Sequence, residues 1–285
     1  MKLKAFTVAF GDEKYLKMAQ ALEKSMKLYS PSIDFEIIDE SYLTPISQIY
    51  QGVDVNKLHP KSLKYSKMEA LSLFNKEDYK YMYIDADSLV YGDISYIFDL
   101  VKKNQLLIEY IYNADEGWSG IKDLNFQLRS KEAGLEGIKP YSINSGFIVW
   151  QGKQNCFNDA LYLIKNILID DVKGRNGDEY YLCAALQRCN TQIVPIDYDK
   201  VKIVKMWNGK ISYKNKKLKS DLYSDKRDIF HYGNQNYNHP SIFRAMDELG
   251  IKREYIFFNL LNLYQAIRFS SLVRAIRKFY KNLVK

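Results

Sequence analysis

The sequence predicts an α/β fold in which helices cover a β-sheet with a polar site at one edge. Short apolar runs, rich in aromatic and β-branched residues, alternate with longer segments whose apolar residues recur at helical spacing. The run Tyr79–Ile84 ends abruptly in two carboxylates, Asp85 and Asp87, and Gly92 with Asp93 marks the turn that follows. Ligands of open α/β sheets bind at the carboxyl ends of strands, so we expect the functional site at this acidic pair.

The other elements follow from the same two periodicities. We expect strands at residues 4–8, 35–38, 79–84, 106–112, 141–151, 192–196 and 228–231. We expect helices at 15–29, 62–74, 155–169 and 180–189, the second of them capped by Ser62, and a lysine-rich hairpin at 210–219. Residues 113–140 have no clear period and predict a long loop with a functional role.

The composition places these elements in one catalytic domain with an appended segment. A chain of 285 residues with 47% hydrophobic content buries one large core, and we expect a catalytic domain at 1–250 and a tail at 251–285. The first apolar run ends at an acidic turn, which predicts a strand and not a signal peptide. Three cysteines without metal-ligand spacing indicate a reducing, cytoplasmic compartment.

The tail carries most of the net charge. Residues 255–285 contain six Lys or Arg and no acidic residue, within a formal net charge of +8. A nucleic-acid-binding protein normally spreads its basic residues over the fold, so we expect no nucleic-acid partner. Apolar residues of the tail recur at helical spacing opposite its cations, which predicts an amphipathic helix on the anionic inner surface of a bacterial cytoplasmic membrane. The alternative is a helix docked on the domain core.

The acidic pair has the chemistry of a metal site. Residues i and i+2 of an extended chain point to the same side, so Asp85 and Asp87 are expected to reach one hard cation, Mg²⁺ or Mn²⁺. The alternative is a pair of solvated turn carboxylates that hold no ligand.

The longer string around this pair is more specific than the pair alone. Residues 81–93 read Tyr-x-Tyr-Ile-Asp-Ala-Asp-Ser-Leu-Val-x-Gly-Asp, which resembles the signature of nucleotide-sugar glycosyltransferases of the GT-A fold, most closely glycosyltransferase family 8. The resemblance implies a Rossmann-like mixed sheet flanked by helices, followed in this chain by the C-terminal amphipathic helical segment. It also implies that Asp85 and Asp87 hold Mn²⁺ or Mg²⁺ against the diphosphate of a sugar nucleotide, with Ala86 beside the donor.

The resemblance places four further residues on the side of the donor. Ala9 and Tyr15 correspond to residues that line the uracil and ribose pocket in the family, and Phe10 lies in the same turn. Lys67 lies close to where the family carries a basic residue that contacts the donor diphosphate or sugar. The alternatives are an ordinary βα turn with a packed tyrosine and a solvated helical lysine.

The strand at 141–151 contains the next match. Its Asn144-Ser145-Gly146 resembles the Asn-[Ala/Ser]-Gly of the family, in which the asparagine bonds to donor-sugar hydroxyls and the glycine allows close backbone approach. The resemblance therefore places Asn144 and Ser145 at the donor, with a turn-forming asparagine as the alternative. It places the loop at 113–140 over the sugar and beside the acceptor.

Asp178 and Glu179 open the last long helix of the domain. Acids at a helix N-terminus are favoured by the helix dipole, which is the alternative to a functional role. The family has Asp-Gln here, at the β-face of the donor sugar, so Glu179 departs from the pattern with a stronger base and nucleophile. The resemblance implies a nucleophile or ion-pair stabiliser in a retaining transfer, or a base, Glu179 or Asp178, in an inverting one.

His231 and Gly233 match the start of the family's His-[Phe/Tyr]-x-Gly-x-x-Lys-Pro-Trp motif, whose histidine is the third metal ligand. The alternative is a structural histidine. The segment that follows contains no lysine, so the cation that faces the leaving diphosphate is unaccounted for. Lys67 and the lysine-rich hairpin are the candidates for that role.

Together these matches imply a metal-dependent enzyme that transfers a hexose from a nucleotide sugar, UDP-linked by resemblance, to a glycan or glycolipid of the bacterial surface, with retention. An inverting enzyme is the first alternative. A haloacid-dehalogenase-type phosphatase also uses Asp-x-Asp, but normally after its first strand, and a nucleotidyltransferase would need a glycine-rich loop that is absent here. A membrane-peripheral glycan-binding protein without activity is the remaining alternative.

Overall fold

The computed structural model describes residues 1–10, 13–42, 64–111, 142–167, 178–205, 211–221, 226–233, 237 and 239–251. The strands in this part of the chain are β1 (Lys2–Val8), β2 (Asp34–Ile38), β3 (Tyr79–Ile84), β4 (Ser88–Val90), β5 (Gln105–Ile111), β6 (Ser142–Gln151), β7 (Gln192–Pro195), β8 (Ile203–Lys205), β9 (Ile211–Lys214), β10 (Lys217–Ser220) and β11 (Ile229–His231). The α-helices are α1 (Glu13–Tyr29), α2 (Lys64–Leu73), α3 (Asn155–Ile167), α4 (Asp178–Arg188), α5 (Tyr198–Val201) and α6 (Pro240–Glu248). Single 3-10 helices span Glu40–Tyr42 and Ser95–Leu100.

The main sheet has six strands in the order β2-β1-β3-β6-β5-β7. β1 pairs in parallel with β2 and β3, and β7 pairs in parallel with β5. β6 runs antiparallel to both of its neighbours, β3 and β5, and its first residue pairs with the last of β5, Ile111 with Ser142. The start of β6 therefore meets the carboxyl ends of the other strands at one edge, and the predicted α/β sheet is confirmed as a mixed one.

Both faces of the main sheet are buried, and β3 illustrates why its sequence is apolar throughout. Tyr81 and Tyr83 face a core shared with helices α2, α3 and α4, whereas Met82 and Ile84 face a core shared with α1. Successive side chains of a strand point to opposite faces, so a strand covered on both sides has no polar alternation. The predicted limits of this strand, 79–84, are confirmed.

A second sheet begins immediately after the acidic pair. It has the order β4-β11-β8, with β11 antiparallel to β4 and parallel to β8. Two buried serines of α1 and the loop after it hold this segment: Ser25 Oγ accepts from Val90 N at 3.1 Å, and Ser30 Oγ accepts from Ile94 N at 3.1 Å. Gly92 has no room for a side chain, because a Cβ there would lie 2.2 Å from Asp228 Oδ1.

The course of the chain through the acidic pair differs from the expected one. We expected an extended segment through Asp87 and a turn at Gly92, but the chain turns at Ala86 and Asp87 and then forms β4. The expectation of an extended pair is therefore wrong. The reason is tertiary: the chain leaves the main sheet after Ile84 and must turn at once to pair with β11 in the second sheet.

The other expected elements occur with limits shifted by a few residues, and several short ones were not anticipated. β4, α5 and β8 have three or four residues each, too few to show a period. Helix α6 has clearer signals, since Pro240 occupies its first turn and the His239 side chain accepts from Ser241 N at 3.2 Å. Ser62, residues 113–140 and most of the tail, 252–285, lie outside the described residues, so the division at 250 remains a prediction.

The three cysteines are free thiols, of which Cys156 and Cys183 are buried and Cys189 is half-buried. Burial raises the pKa of Cys156 to about 12.

Among the helices that the structure describes, none is both long and apolar enough to cross a membrane.

Candidate active site

Three side chains of kinds that can bind a metal come together from the two sheets. Asp85 follows β3 of the main sheet, Asp87 precedes β4, and His231 ends β11 of the second sheet. His231 Nε2 lies 3.0 Å from Asp87 Oδ1, and one ligand atom from each of the three residues lies within 4.8 Å of the others. Tyr232 N also donates to the Asp87 carbonyl at 2.9 Å. The predicted grouping of these residues is thus present, although a turn and not an extended strand produces it.

Asp85 is held by three hydrogen bonds, one each to β6, β3 and α2. Its backbone N donates to the Gly146 carbonyl of β6 at 2.8 Å. Its Oδ1 accepts from the hydroxyl of Tyr83 and from Lys67 Nζ, the latter at 3.1 Å. Burial and the neighbouring Asp85 charge raise the pKa of Tyr83 well above its ordinary value, so its hydroxyl keeps the proton that it donates.

Lys67 is the charged centre of this arrangement. Its ammonium lies 3.1 Å from Asp85 Oδ1 and 3.3 Å from Asp178 Oδ2, and its side chain is only 12% exposed. Burial lowers the pKa of Lys67, but the surrounding negative charges, Asp85 foremost, raise it well above its ordinary value. The amine therefore stays protonated and is a fixed positive charge beside the metal-ligand cluster.

Ser145 connects Lys67 to the two acids of α4. Its Oγ accepts from Lys67 Nζ at 2.9 Å and donates to Asp178 Oδ2 at 2.6 Å, and its backbone N donates to Glu179 Oε1 at 3.3 Å. Asp178 is buried, whereas Glu179 is half-buried. Ser145 itself is 2% exposed, so in this structure it orients charged neighbours.

Gly146 leaves a space that the side chains of Asp85, Asn144 and His231 border. An added Cβ would lie 2.7 Å from Asp85 Oδ2 and 3.0 Å from both Asn144 Oδ1 and His231 Cε1. Asn144 Oδ1 in turn accepts from Gly146 N at 3.0 Å. A glycine is therefore required at this position for side chains from the two sheets to come together.

A half-buried ion pair, Glu109 with Lys205, lies at the same edge of the sheet. Lys205 of β8 is the register partner of His231, and Glu109 of β5 is the register partner of Asn144, next to a β-bulge. Lys205 Nζ donates to Glu109, and the Tyr198 hydroxyl donates to the second oxygen of that carboxylate. This pair connects the main sheet to the second sheet beside the candidate metal ligands.

The residues expected on the nucleotide side lie at the end of β1. Ala9 N donates to the Ile38 carbonyl of β2 at 2.9 Å, and Ala9 and Ala86 are buried in one hydrophobic cluster, against which Tyr15 packs. Phe10 packs instead against the core on the other face of the sheet. The structure thus places Ala86 in the same cluster as Ala9. Gly233, with φ of 73°, lies two residues beyond His231.

The turn of the lysine-rich hairpin lies near the end of α1 that is opposite to this edge. Lys217 Nζ is 6.0 Å from the ring of Tyr29, the last residue of α1, and Tyr213 bonds to Glu248 at the end of α6. The site, in contrast, lies at the end of β1 from which α1 starts. The 17 residues of α1 span about 25 Å, so the tip of the hairpin is remote from the acidic pair.

Sequence reasoning missed the roles of Tyr83, Glu109 and Lys205. A signal for Tyr83 was present, since residues i and i+2 of a strand share a face and Tyr83 stands two residues before Asp85. Glu109 and Lys205 gave no local signal, because they are far apart in the chain and meet only through the pairing of two sheets.

The cluster fits a divalent cation. Two carboxylates and an imidazole supply oxygen and nitrogen atoms close enough to share one ion, and Gly146 keeps the space beside Asp85 Oδ2 free of a side chain. Oxygen-rich sites of this kind suit Mg²⁺ and Mn²⁺. The identity of the ion is not fixed by these residues alone.

Comparison with known proteins gives similarity in structure and not in sequence. No family model and no curated protein matches the chain. Among solved structures, the chain is similar to an active-site glutamine-to-glutamate variant of the galactosyltransferase LgtC, with 14% identity over 87% of this chain and 95% of that one and a TM-score of 0.52. It is also similar to the apo form of the bifunctional glycosyltransferase WbbM, with 16% identity over 90% of this chain and 50% of that one and a TM-score of 0.51. The chain therefore has the GT-A fold, as the sequence predicted.

We predict that Gly146→Ala weakens Mn²⁺ binding while the protein stays folded. The added methyl group would contact Asp85 Oδ2 at 2.7 Å, and overpacking of this kind costs about 1–3 kcal/mol. Because the methyl group would crowd the oxygen that is proposed to bind the ion, we expect Mn²⁺ affinity to fall about 10- to 100-fold. The electron paramagnetic resonance signal of free Mn²⁺ measures this affinity.

Gly250→Ala is the control, because Gly250 also has little tolerance for a side chain, with φ of 73°, but lies at the end of α6. Its left-handed backbone costs an alanine about 1–2 kcal/mol, so this variant should lose stability and keep its Mn²⁺ affinity. Normal Mn²⁺ binding by Gly146→Ala would show that the metal does not lie beside Asp85 Oδ2.

Proposed function

We propose that this protein is a metal-dependent glycosyltransferase that moves a hexose from a UDP-sugar to a glycan or glycolipid acceptor. The observation that carries the proposal is the Asp85–Asp87–His231 cluster, which lies at the ligand-binding edge of a GT-A sheet. The acids Asp178 and Glu179 stand close by, connected to the cluster through Lys67 and Ser145. A cation site and a carboxylate next to each other are what the departure of a diphosphate from a sugar requires.

In this proposal Asp85, Asp87 and His231 would hold Mn²⁺ or Mg²⁺. A cation bound there supplies positive charge against the diphosphate as the bond to the sugar breaks. Lys67 adds a second fixed positive charge, and it is favoured over the hairpin, whose Lys217 lies beside Tyr29 at the far end of α1. Electrostatic stabilisation of this kind is usually the largest contribution to such a reaction.

The remaining predicted contacts divide between the two parts of the donor. Ala9, Phe10, Tyr15 and Ala86, at the end of β1 and in the adjacent turn, would bind the uridine. Three further residues near the metal ligands are assigned by the family pattern to the donor sugar and diphosphate: Asn144, Ser145 and Gly233. Ser145 would act there by orienting Lys67 and Asp178, since its own hydroxyl is already bonded to both.

Glu179 is the acid that we assign to the reacting carbon. Asp178 is buried, and one of its oxygens already accepts from Ser145 and lies 3.3 Å from Lys67, so it serves to balance the lysine charge. Glu179 is half-buried and is oriented by the Ser145 backbone at 3.3 Å. In a retaining transfer its carboxylate would attack or stabilise the anomeric carbon as the diphosphate leaves; in an inverting transfer Glu179 or Asp178 would accept the proton of the acceptor hydroxyl.

The site argues against the phosphatase alternative. The aspartate nucleophile of that class is expected after the first strand, whereas β1, α1, β2 and α2 all precede Asp85. Oδ1 of Asp85 also accepts hydrogen bonds from Tyr83 and Lys67. This arrangement suits a carboxylate that binds a metal through its other oxygen better than a carboxylate that acts as a nucleophile. A binding protein without activity is distinguished by experiment, because a glycosyltransferase slowly hydrolyses its sugar nucleotide when metal is present.

We predict that Asp87→Ala removes the metal dependence of UDP binding and leaves the fold intact, because Asp87 contacts His231 at the site and is not part of the hydrophobic core. Calorimetry with and without Mn²⁺ measures this. Asp99→Ala, which removes a carboxylate that is 80% exposed at the surface, is the control and should bind like the wild type. UDP binding by Asp87→Ala that still depends on Mn²⁺ would refute the metal assignment.

We predict that Glu179→Gln lowers turnover about 100-fold or more with little change in donor affinity, because Glu179 is assigned to the reacting carbon and not to the nucleotide. Asp199→Asn, which removes an acid from the first turn of α5, tests whether the effect is merely that of a helix-start carboxylate, and it should leave turnover unchanged. If Glu179→Gln remains nearly as active as the wild type, the acid is structural. NMR of the product anomer decides between retention and inversion.

For the tail we propose reversible binding to an anionic membrane. Each basic residue close to an anionic leaflet contributes about 1 kcal/mol, and residues 255–285 carry six such residues and no acid. We predict that the full chain co-sediments with phosphatidylglycerol vesicles and does not bind neutral vesicles. High salt should release it, because salt screens the attraction between the charges. A chain ending at Lys252 should stay soluble and still bind UDP; its unfolding would show that the tail is part of the core.

A further inference from the structure

The two carboxylate oxygens of Asp85 have different surroundings. Oδ1 accepts from the Tyr83 hydroxyl and from Lys67 Nζ. Oδ2 faces the space above Gly146, where an added Cβ would approach it to 2.7 Å. Oδ1 is therefore occupied by Tyr83 and Lys67, whereas Oδ2 borders the same space over Gly146 that His231 Cε1 borders.

Tyr83 is fixed in the position that produces this asymmetry. Its side chain is 3% exposed, and its ring meets that of Phe6 edge-on, with 5.6 Å between the centroids. Lys67 Nζ lies 4.7 Å from the centroid of the same ring. Packing on both sides leaves the hydroxyl directed at Asp85, two residues farther along the same face of the chain.

We infer that Tyr83 is a positioning residue for the metal: by occupying Oδ1 together with Lys67, it makes Asp85 present Oδ2 alone to the cation. An oxygen that already accepts two hydrogen bonds is a poor ligand, so Asp85 acts as a one-oxygen ligand of fixed orientation. Hydrogen bonds that orient a metal ligand from behind are typically worth about 10- to 100-fold in metal affinity. This inference rests on the proposed function, since it takes the cluster of Asp85, Asp87 and His231 as the metal site.

Tyr83 is the right residue to change, because Lys67 also contacts Ser145 and Asp178 and its loss would disturb the acids of α4. Tyr83→Phe removes one hydroxyl and keeps the ring contacts with Phe6. Asp85 Oδ1 still accepts from Lys67 in this variant, so no buried acceptor is left without a donor and the fold is expected to persist.

The chain offers a closely matched control in Tyr81. It lies on the same strand and the same face, is 2% exposed, and uses its hydroxyl to accept from Lys76 N at 3.0 Å, away from the metal ligands. Tyr81→Phe therefore removes the same atom from the same strand without touching Asp85.

The test is Mn²⁺ titration of the full chain without nucleotide, followed by electron paramagnetic resonance, with thermal unfolding measured on the same samples. Tyr83→Phe should bind Mn²⁺ about 10- to 100-fold more weakly than the wild type, at a similar melting temperature. Tyr81→Phe should bind like the wild type, and Asp87→Ala should not bind.

The outcomes separate this inference from the proposed function. Wild-type Mn²⁺ affinity in Tyr83→Phe, with binding lost in Asp87→Ala, overturns the role of Tyr83 and leaves the metal site standing. An equal loss in Tyr81→Phe and Tyr83→Phe overturns it too, since the effect would then be one of strand packing. Normal Mn²⁺ binding by Asp87→Ala overturns the metal site and this inference with it.

Discussion

A single buried ammonium group, that of Lys67, is the interaction on which the rest of the site depends. It lies between carboxylates from two elements, Asp85 after β3 and Asp178 at the start of α4, and bonds to Ser145 of β6. Removing a charge from water is costly unless partners compensate it, and loss of one partner leaves an uncompensated charge. Helix α2, two strands of the main sheet and α4 are therefore tied to one geometry by the requirement that this charge be balanced.

The second constraint is that the candidate metal ligands are divided between two sheets. Asp85 belongs to the main sheet by its position after β3, whereas His231 belongs to the second sheet through β11. Gly146 lets the two approach, and the Glu109–Lys205 pair links β5 to β8 beside them. The short turn at Ala86 and Asp87 is where the chain passes from one sheet to the other. The acidic motif therefore connects the two sheets in addition to supplying two of the three residues of the cluster.

Some parts of this arrangement could be predicted from the sequence and others could not. The strand before Asp85 was predicted at its true limits because it is apolar on both faces, and His231 could be joined to the acidic pair through a resemblance in motif. The turn at Asp87 was not predicted, because it exists only to bring β4 against β11, a partner far along the chain. The ion pair between Glu109 and Lys205 was not predicted either, because the two residues are far apart in the chain and meet only in the folded structure. Tyr83 could have been predicted, because it lies two residues before Asp85 on the same face of the strand. It was interpreted only as one of several aromatic residues in a buried strand.

The reversed direction of β6 has an evolutionary consequence. Because β6 runs against its neighbours, β5 ends and β6 begins at the same edge, with Ile111 paired to Ser142. The chain therefore leaves the main sheet after Ile111 and re-enters it at Ser142, on the edge that carries Asp85. The paired residues of β5 and β6, and Asp85, Asp87 and His231, are all encoded outside residues 112–141. Descendants of such a protein can therefore differ in that stretch while the codons of the charged cluster stay the same.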